Sequence, residues 1–133
     1  MALNVLVVDD SSITRRMIIK TLDLAGIPVD EVYEAGNGRE GLGVLEEHWI
    51  DLVLADINMP VMDGEEMINR LRDNPAWADI PLIVVSTEGS ETRIERLQQK
   101  GVKDFVHKPF QPETIRDVVR KALGGSCERV ASN

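Results

Sequence analysis

The sequence predicts an α/β fold in which five parallel strands alternate with five helices through right-handed crossovers. Two observations carry this. Runs such as Val5-Leu6-Val7-Val8, Leu52-Val53-Leu54-Ala55 and Leu82-Ile83-Val84-Val85 are apolar at every position, as in strands buried on both faces. Between them, apolar residues recur near the 3.6-residue period of a helix. The pattern alone leaves the strand order open, and it contains no internal repeat.

Leu3 to Val8 reads as a central strand. Ser11 or Ser12 can cap the next helix, which sets Ile13, Met17, Ile18, Leu22 and Ala25 on one side and stops at Gly26. Val29 to Ala35 interleaves Val29, Val32 and Tyr33 with Asp30, Glu31 and Glu34, as suits an edge strand whose charges discourage pairing with other chains. Asn37-Gly38 leads into a second helix with Leu42, Leu45 and Trp49 on one face. Gly41 and Gly43 each cost it about 1 kcal/mol relative to alanine, which makes it the least stable helix.

Leu52 to Asp56 is the third strand. The helix from Gly64 to Asp73 turns Met67, Ile68 and Leu71 inward and ends at Asn74-Pro75. Leu82 to Ser86 is a fourth buried strand. The helix from Glu91 to Lys100 offers only Ile94 and Leu97 to a core, so it is anchored weakly and is a candidate moving part. Its charges, Arg93 and Arg96 among them, read most simply as a solvated face. Lys103 to His107 forms a short fifth strand, and Pro112 opens a last helix carrying Ile115, Val118, Val119 and Ala122. Gly124-Gly125 is expected to close it, giving a domain over 1–124 and a disordered tail over 125–133.

A chain of 133 residues suits one domain. Its net charge of −8 argues against a nucleic-acid partner, because phosphodiesters repel it. No stretch approaches the roughly 20 apolar residues of a membrane span, and Met1-Ala2-Leu3-Asn4 lacks the basic start of a signal peptide, so a cytoplasmic location is expected. The single cysteine, Cys127, excludes an internal disulfide and reads as an incidental thiol.

The strands deliver chemistry to one edge. Asp9, Asp10, Asp56, Ser86 and Lys108 all fall at the carboxyl ends of parallel strands, where ligands bind in open α/β sheets. Two carboxylates about 4 Å apart repel by about 4 kcal/mol at an effective dielectric of 20, so three need a cation or protons. A few carboxylates completed by water are what Mg²⁺ prefers. A carboxylate can also attack phosphorus, while a lysine and a hydroxyl neutralise and position the phosphoryl oxygens. Each residue has a plainer reading when taken singly: Asp9 or Asp10 as a helix cap, Lys108 as a surface charge, Phe105 as core. Only the set lifts them above it.

Four motifs in order resemble the receiver domain of two-component response regulators, most closely the single-domain chemotaxis regulators of the CheY type. They are Val7-Val8-Asp9-Asp10-Ser11, Asp56-Ile57-Asn58-Met59-Pro60-Val61-Met62-Asp63-Gly64, Val84-Val85-Ser86-Thr87-Glu88 and Asp104-Phe105-Val106-His107-Lys108-Pro109-Phe110. The resemblance implies a flavodoxin-like sandwich with strand order 2-1-3-4-5 and a cis Lys108-Pro109 bond. It implies that Asp56 is the phosphoacceptor and that Mg²⁺ is held by Asp10 directly, by Asp9 through water, and by Asp56 and the Asn58 carbonyl. Ser86 resembles the switch hydroxyl, Lys108 the lysine that pairs with the phosphoryl group, and Phe105 the switch aromatic. Asn58 and Glu88 match side chains that bear on dephosphorylation.

Serine stands where threonine is common at the switch, and phenylalanine where tyrosine is frequent. The implied function is a signalling switch with no separate substrate to turn over and no attached output domain. Its implied partners are a histidine kinase and the flagellar motor switch or, for a phosphorelay intermediate, a histidine phosphotransfer protein. A Mg²⁺-dependent phosphohydrolase is disfavoured because Asp9 and Asp10 are adjacent, where haloacid-dehalogenase-type enzymes need Asp-x-Asp. A nucleotide binder is weaker still, since Ser11-Ser12-Ile13-Thr14 offers no glycine-rich phosphate cradle.

Overall fold

A computed structural model describes residues 2–87 and 90–131, without the side chains of 124–131. The elements run β1 (Leu3–Val8), α1 (Ser12–Leu24), β2 (Val29–Ala35), α2 (Gly38–Glu47), β3 (Leu52–Ala55), α3 (Gly64–Asp73), β4 (Leu82–Ser86), α4 (Glu91–Gln99), β5 (Asp104–His107) and α5 (Pro112–Ala131). All strands pair in parallel in the order β2-β1-β3-β4-β5, the flavodoxin-like arrangement.

The unbroken apolar runs follow from two cores, one on each face of the sheet. Leu6, Val8, Val53, Ala55, Leu82 and Val84 pack against Leu45 of α2, Met67, Ile68 and Leu71 of α3, and Leu97 of α4. The alternate residues Val5, Val7, Leu52, Leu54, Ile83 and Val85 pack against Ile18 and Leu22 of α1 and Ile115 and Val119 of α5. With both faces covered, β3 and β4 are buried throughout and leave no position for a polar side chain before the strand ends. Among the described residues no helix is long and apolar enough to cross a membrane.

Side-chain hydrogen bonds start the helices. Ser11, Asn37, Asp63 and Ser90 accept the backbone N–H of Thr14, Glu40, Glu66 and Arg93 respectively. Asn37-Gly38 is thus a helix start, as read from the sequence.

Four local readings change. On α1 the inward stripe is Ile18, Thr21 and Leu22, while Ile13 and Met17 are 68% and 54% exposed. Met17 lies about 100° and Ile13 about 140° round the helix from Ile18. On α2 the helix ends at Glu47, so Trp49 lies beyond it, 77% exposed, its indole N–H donating to Asp51 at 2.9 Å. Gly41 is more than a weak point: a Cβ there would meet Met67 Sδ at 3.0 Å and Val8 Cγ2 at 3.2 Å, so its bareness lets α2 lie close on α3 and β1. Finally, α5 runs on through Gly124-Gly125 to Ala131, since glycine weakens a helix by about 1 kcal/mol without forbidding it.

The loop after β3 has the tightest constraint. The Gly64 N–H donates to the Ile57 carbonyl at 2.7 Å, and a Cβ on Gly64 would stand 2.1 Å from the Asp56 carbonyl oxygen. Gly64→Ala is therefore expected to cost about 2 kcal/mol or more, whereas Gly43→Ala, whose Cβ would meet nothing within 4 Å, should stabilise by about 0.5–1 kcal/mol. Urea denaturation of the two variants checks this; equal midpoints would contradict it.

Candidate functional site

Sheet register builds the site. Val8 pairs with Ala55, so the next residues, Asp9 and Asp56, emerge side by side at the carboxyl edge. Backbone bonds from Asp9 N–H to the Ala35 carbonyl at 3.0 Å and from Asp56 N–H to the Val8 carbonyl at 2.9 Å fix both residues just beyond their strands. Ser86 pairs with His107, and the Lys108 N–H donates to the Ser86 carbonyl at 3.0 Å, which sets Lys108 at the same edge. The Lys108-Pro109 bond is cis.

The Lys108 ammonium donates to Asp9 Oδ2 at 2.6 Å and Asp56 Oδ2 at 3.1 Å. The other oxygens have backbone partners: Asp9 Oδ1 accepts the Ser11 N–H at 2.9 Å, and Asp56 Oδ1 accepts Ile57 at 2.7 Å and Asn58 at 3.4 Å. Asp9 and Asp56 are buried, while Asp10 is exposed. Burial pushes the Asp9 carboxyl above its ordinary value, against the opposing pull of its hydrogen bond with Lys108. Burial acts to lower Lys108, yet its hydrogen bonds to Asp9 and Asp56 outweigh it and hold the ammonium above the usual lysine value.

Asp9, Asp10 and Asp56 each offer a carboxylate oxygen, all within 4.8 Å of one another. Three hard oxygen donors, one of them open to water, fit Mg²⁺.

The structure brings Ser86 to this edge fully buried. Phe105 is half-buried against the core on the α2, α3 and α4 side, with its ring 5.0 Å from that of His107. His48 is exposed and stacks on Tyr33 at 4.2 Å. Asn58 is exposed, and its Oδ1 accepts from Arg93 Nη1 at 3.4 Å. Glu88 lies outside the described residues.

Four residues near the site carried no role in the sequence reading. Gly64 makes room for the Asp56 carbonyl, as above. Arg15 ties α1 to the edge, donating to the Asp9 carbonyl at 2.5 Å and to Glu34 at 3.0 Å. Glu65 and Arg93 join α3 to α4 at 3.6 Å. The first-turn acid Glu65 and the basic spacing of α4 are visible in the sequence, but their meeting depends on how the two helices lie.

A family model for the response regulator receiver domain matches residues 5–120. The chain is 36% identical over 131 residues to a chemotaxis protein CheY homolog of Campylobacter jejuni, covering 97% of this chain and 99% of that protein. It is 37% identical over 123 residues to the chemotaxis protein CheY of Bacillus subtilis, covering 92% and 99%. The solved chemotaxis response regulator CheY4 of Vibrio cholerae superposes with a TM-score of 0.81 at 33% identity, covering 92% and 99%.

Mg²⁺ should raise the thermal midpoint, because a ligand at a hundredfold its Kd stabilises by about 2.7 kcal/mol. Scanning calorimetry with Mg²⁺ and then with EDTA checks this. Asp10→Asn should lose most of the gain, and an undiminished gain would contradict a site at this edge.

Proposed function

The chain belongs to the response regulator receiver domain family, and from that premise we propose that it is a phosphorylation-gated switch in which Asp56 accepts a phosphoryl group from a histidine kinase. Family members of the CheY type are signalling switches and not enzymes that turn over a separate substrate. The observation that carries the assignment to Asp56 is the placement of its carboxylate, 3.1 Å from the Lys108 ammonium and with an oxygen within 4.8 Å of those of Asp9 and Asp10.

Each residue's part follows from its contacts. The backbone N–H groups of Ile57 and Asn58 hold Asp56 Oδ1, which leaves Oδ2, facing Lys108, as the atom that bonds to phosphorus as the donor's phosphorus–nitrogen bond breaks. Lys108 then pairs with a phosphoryl oxygen, keeping in place the positive charge it now shares between Asp9 and Asp56. Mg²⁺, when bound, screens the carboxylates and draws charge from the phosphoryl oxygens. Exposed Asp10 suits direct ligation. Asp9, with both oxygens already engaged, suits contact through water, and Asp56 and the Asn58 carbonyl complete the set.

The response passes outward through Ser86, whose hydroxyl turns to the phosphoryl group, and Phe105, which follows it inward. Asn58 and Glu88 set the lifetime of the phosphoryl group. The face formed by α4, β5 and α5 then changes its affinity for a partner, because a phosphate shifts only an equilibrium whose two states it binds differently. Control of the flagellar motor switch is favoured over relay to a histidine phosphotransfer protein by relatives of matching full length that are chemotaxis proteins.

With Mg²⁺ and acetyl phosphate the protein should gain one phosphoryl group, seen by intact-mass spectrometry and absent in Asp56→Asn. No Mg²⁺-dependent gain, or an undiminished gain in the variant, would overturn the assignment. A flagellar-switch peptide should then bind the phosphorylated form more tightly, while rapid loss of label to a phosphotransfer domain instead would favour relay.

A further inference from the structure

The charges of α4 are not simply a solvated face. Arg93 and Arg96 in the helix and Lys100 at its C-cap follow at spacings of three and four, along one stripe. All three meet Glu65 in the first turn of α3: Arg96 at 2.5 and 2.8 Å, Lys100 at 3.0 Å and Arg93 at 3.6 Å. The Glu65 side chain keeps only 16% exposure, and its hydrogen bond from Arg96, supported by Lys100, holds its carboxyl down at about 2. One carboxylate therefore faces three cations.

The first arginine of the stripe reaches toward the acidic edge. Among its contacts Arg93 sends Nη1 to Asn58 Oδ1 at 3.4 Å, and the Asn58 N–H in turn reaches Asp56 Oδ1 at 3.4 Å. The far end of α4 is tied down differently. Arg72 of α3 donates to the carbonyls of Lys100, Gly101, Ala78 and Ile80 at 2.7–3.0 Å, bonds to backbone that do not exchange with an outside anion. In between, Leu97 is the side chain of α4 that is fully buried, among the described residues. The helix is thus pinned at its C-terminal end, where Arg96 and Lys100 also meet Glu65, while nearer its N-terminal end the contact with Glu65 is the longer ion pair of Arg93 at 3.6 Å.

We propose that Arg93 is a phosphate-responsive positioning residue: Glu65 and Asn58 hold it while Asp56 is a free carboxylate, and a phosphoryl group on Asp56 draws its guanidinium away from Glu65 and pulls the N-terminal half of α4 with it. The inference rests on the reading of Asp56 as phosphoacceptor. Phosphorylation adds about one negative charge and three strong acceptor oxygens, and a guanidinium matches them in a fork. Glu65 keeps Arg96 and Lys100 after the trade, so its carboxylate is not stranded.

The test uses beryllofluoride with Mg²⁺ as the phosphoryl mimic, titrated by calorimetry into the whole chain. Glu65→Gln removes a competitor for Arg93 and should tighten binding about two- to fivefold, the size expected of a part-exposed ion pair. Arg93→Gln removes the responder and should weaken binding by about the same factor. Arg93→Lys should restore much of the loss, and the double variant should behave as Arg93→Gln alone, because tightening needs the arginine. Shifts of the same sign in the two single variants, no shift in either, or tightening that survives in the double variant would overturn the inference. Failure of the unaltered protein to bind beryllofluoride in a manner lost in Asp56→Asn would instead remove the phosphoacceptor reading itself.

Discussion

Three carboxylates gathered at one edge of a sheet repel one another, and the rest of this structure is arranged around that constraint. Two carboxylates about 4 Å apart repel by about 4 kcal/mol at an effective dielectric of 20, and burial makes the charged forms harder still to keep. Lys108 supplies the answer built into the chain, spanning Asp9 and Asp56 at 2.6 and 3.1 Å. Backbone N–H groups of Ser11, Ile57 and Asn58 take the remaining oxygens. A site held in this balance is sensitive to any ion added to it, and this sensitivity suits it to signalling.

The sheet order makes the balance possible. With β1 between β2 and β3, the register places Asp9 beside Asp56, and β5 at the far edge returns Lys108 across β4. The two cores that sandwich the sheet leave the strand ends as the place where charge can gather.

Much of this was legible in the sequence, for a physical reason. Strands buried on both faces have no alternation to misread, so Val5-Leu6-Val7-Val8 and Leu52-Val53-Leu54-Ala55 marked both themselves and the acids that end them. Helix faces were less legible. Ile13 and Met17 follow the helical period as well as Ile18 and Leu22 do, and only the way α1 lies on the sheet decides which row is buried. Trp49 continued the period of α2 past a helix that stops at Glu47. The ion pairs of Glu65 with Arg93, Arg96 and Lys100 span α3 and α4, whose separation in sequence hides them. The role of Gly64 depends on a backbone approach that composition does not record.

Charge arriving at Asp56 should be felt along α4. Amide chemical shifts of the whole chain, followed by NMR as Mg²⁺ and beryllofluoride are added, read this out residue by residue. Changes are expected in the loop from Asp56 to Gly64 together with changes at Arg93, Arg96 and Leu97, all absent in Asp56→Asn. Changes confined to the residues lining the acidic edge, with the amides of α4 unmoved, would contradict it.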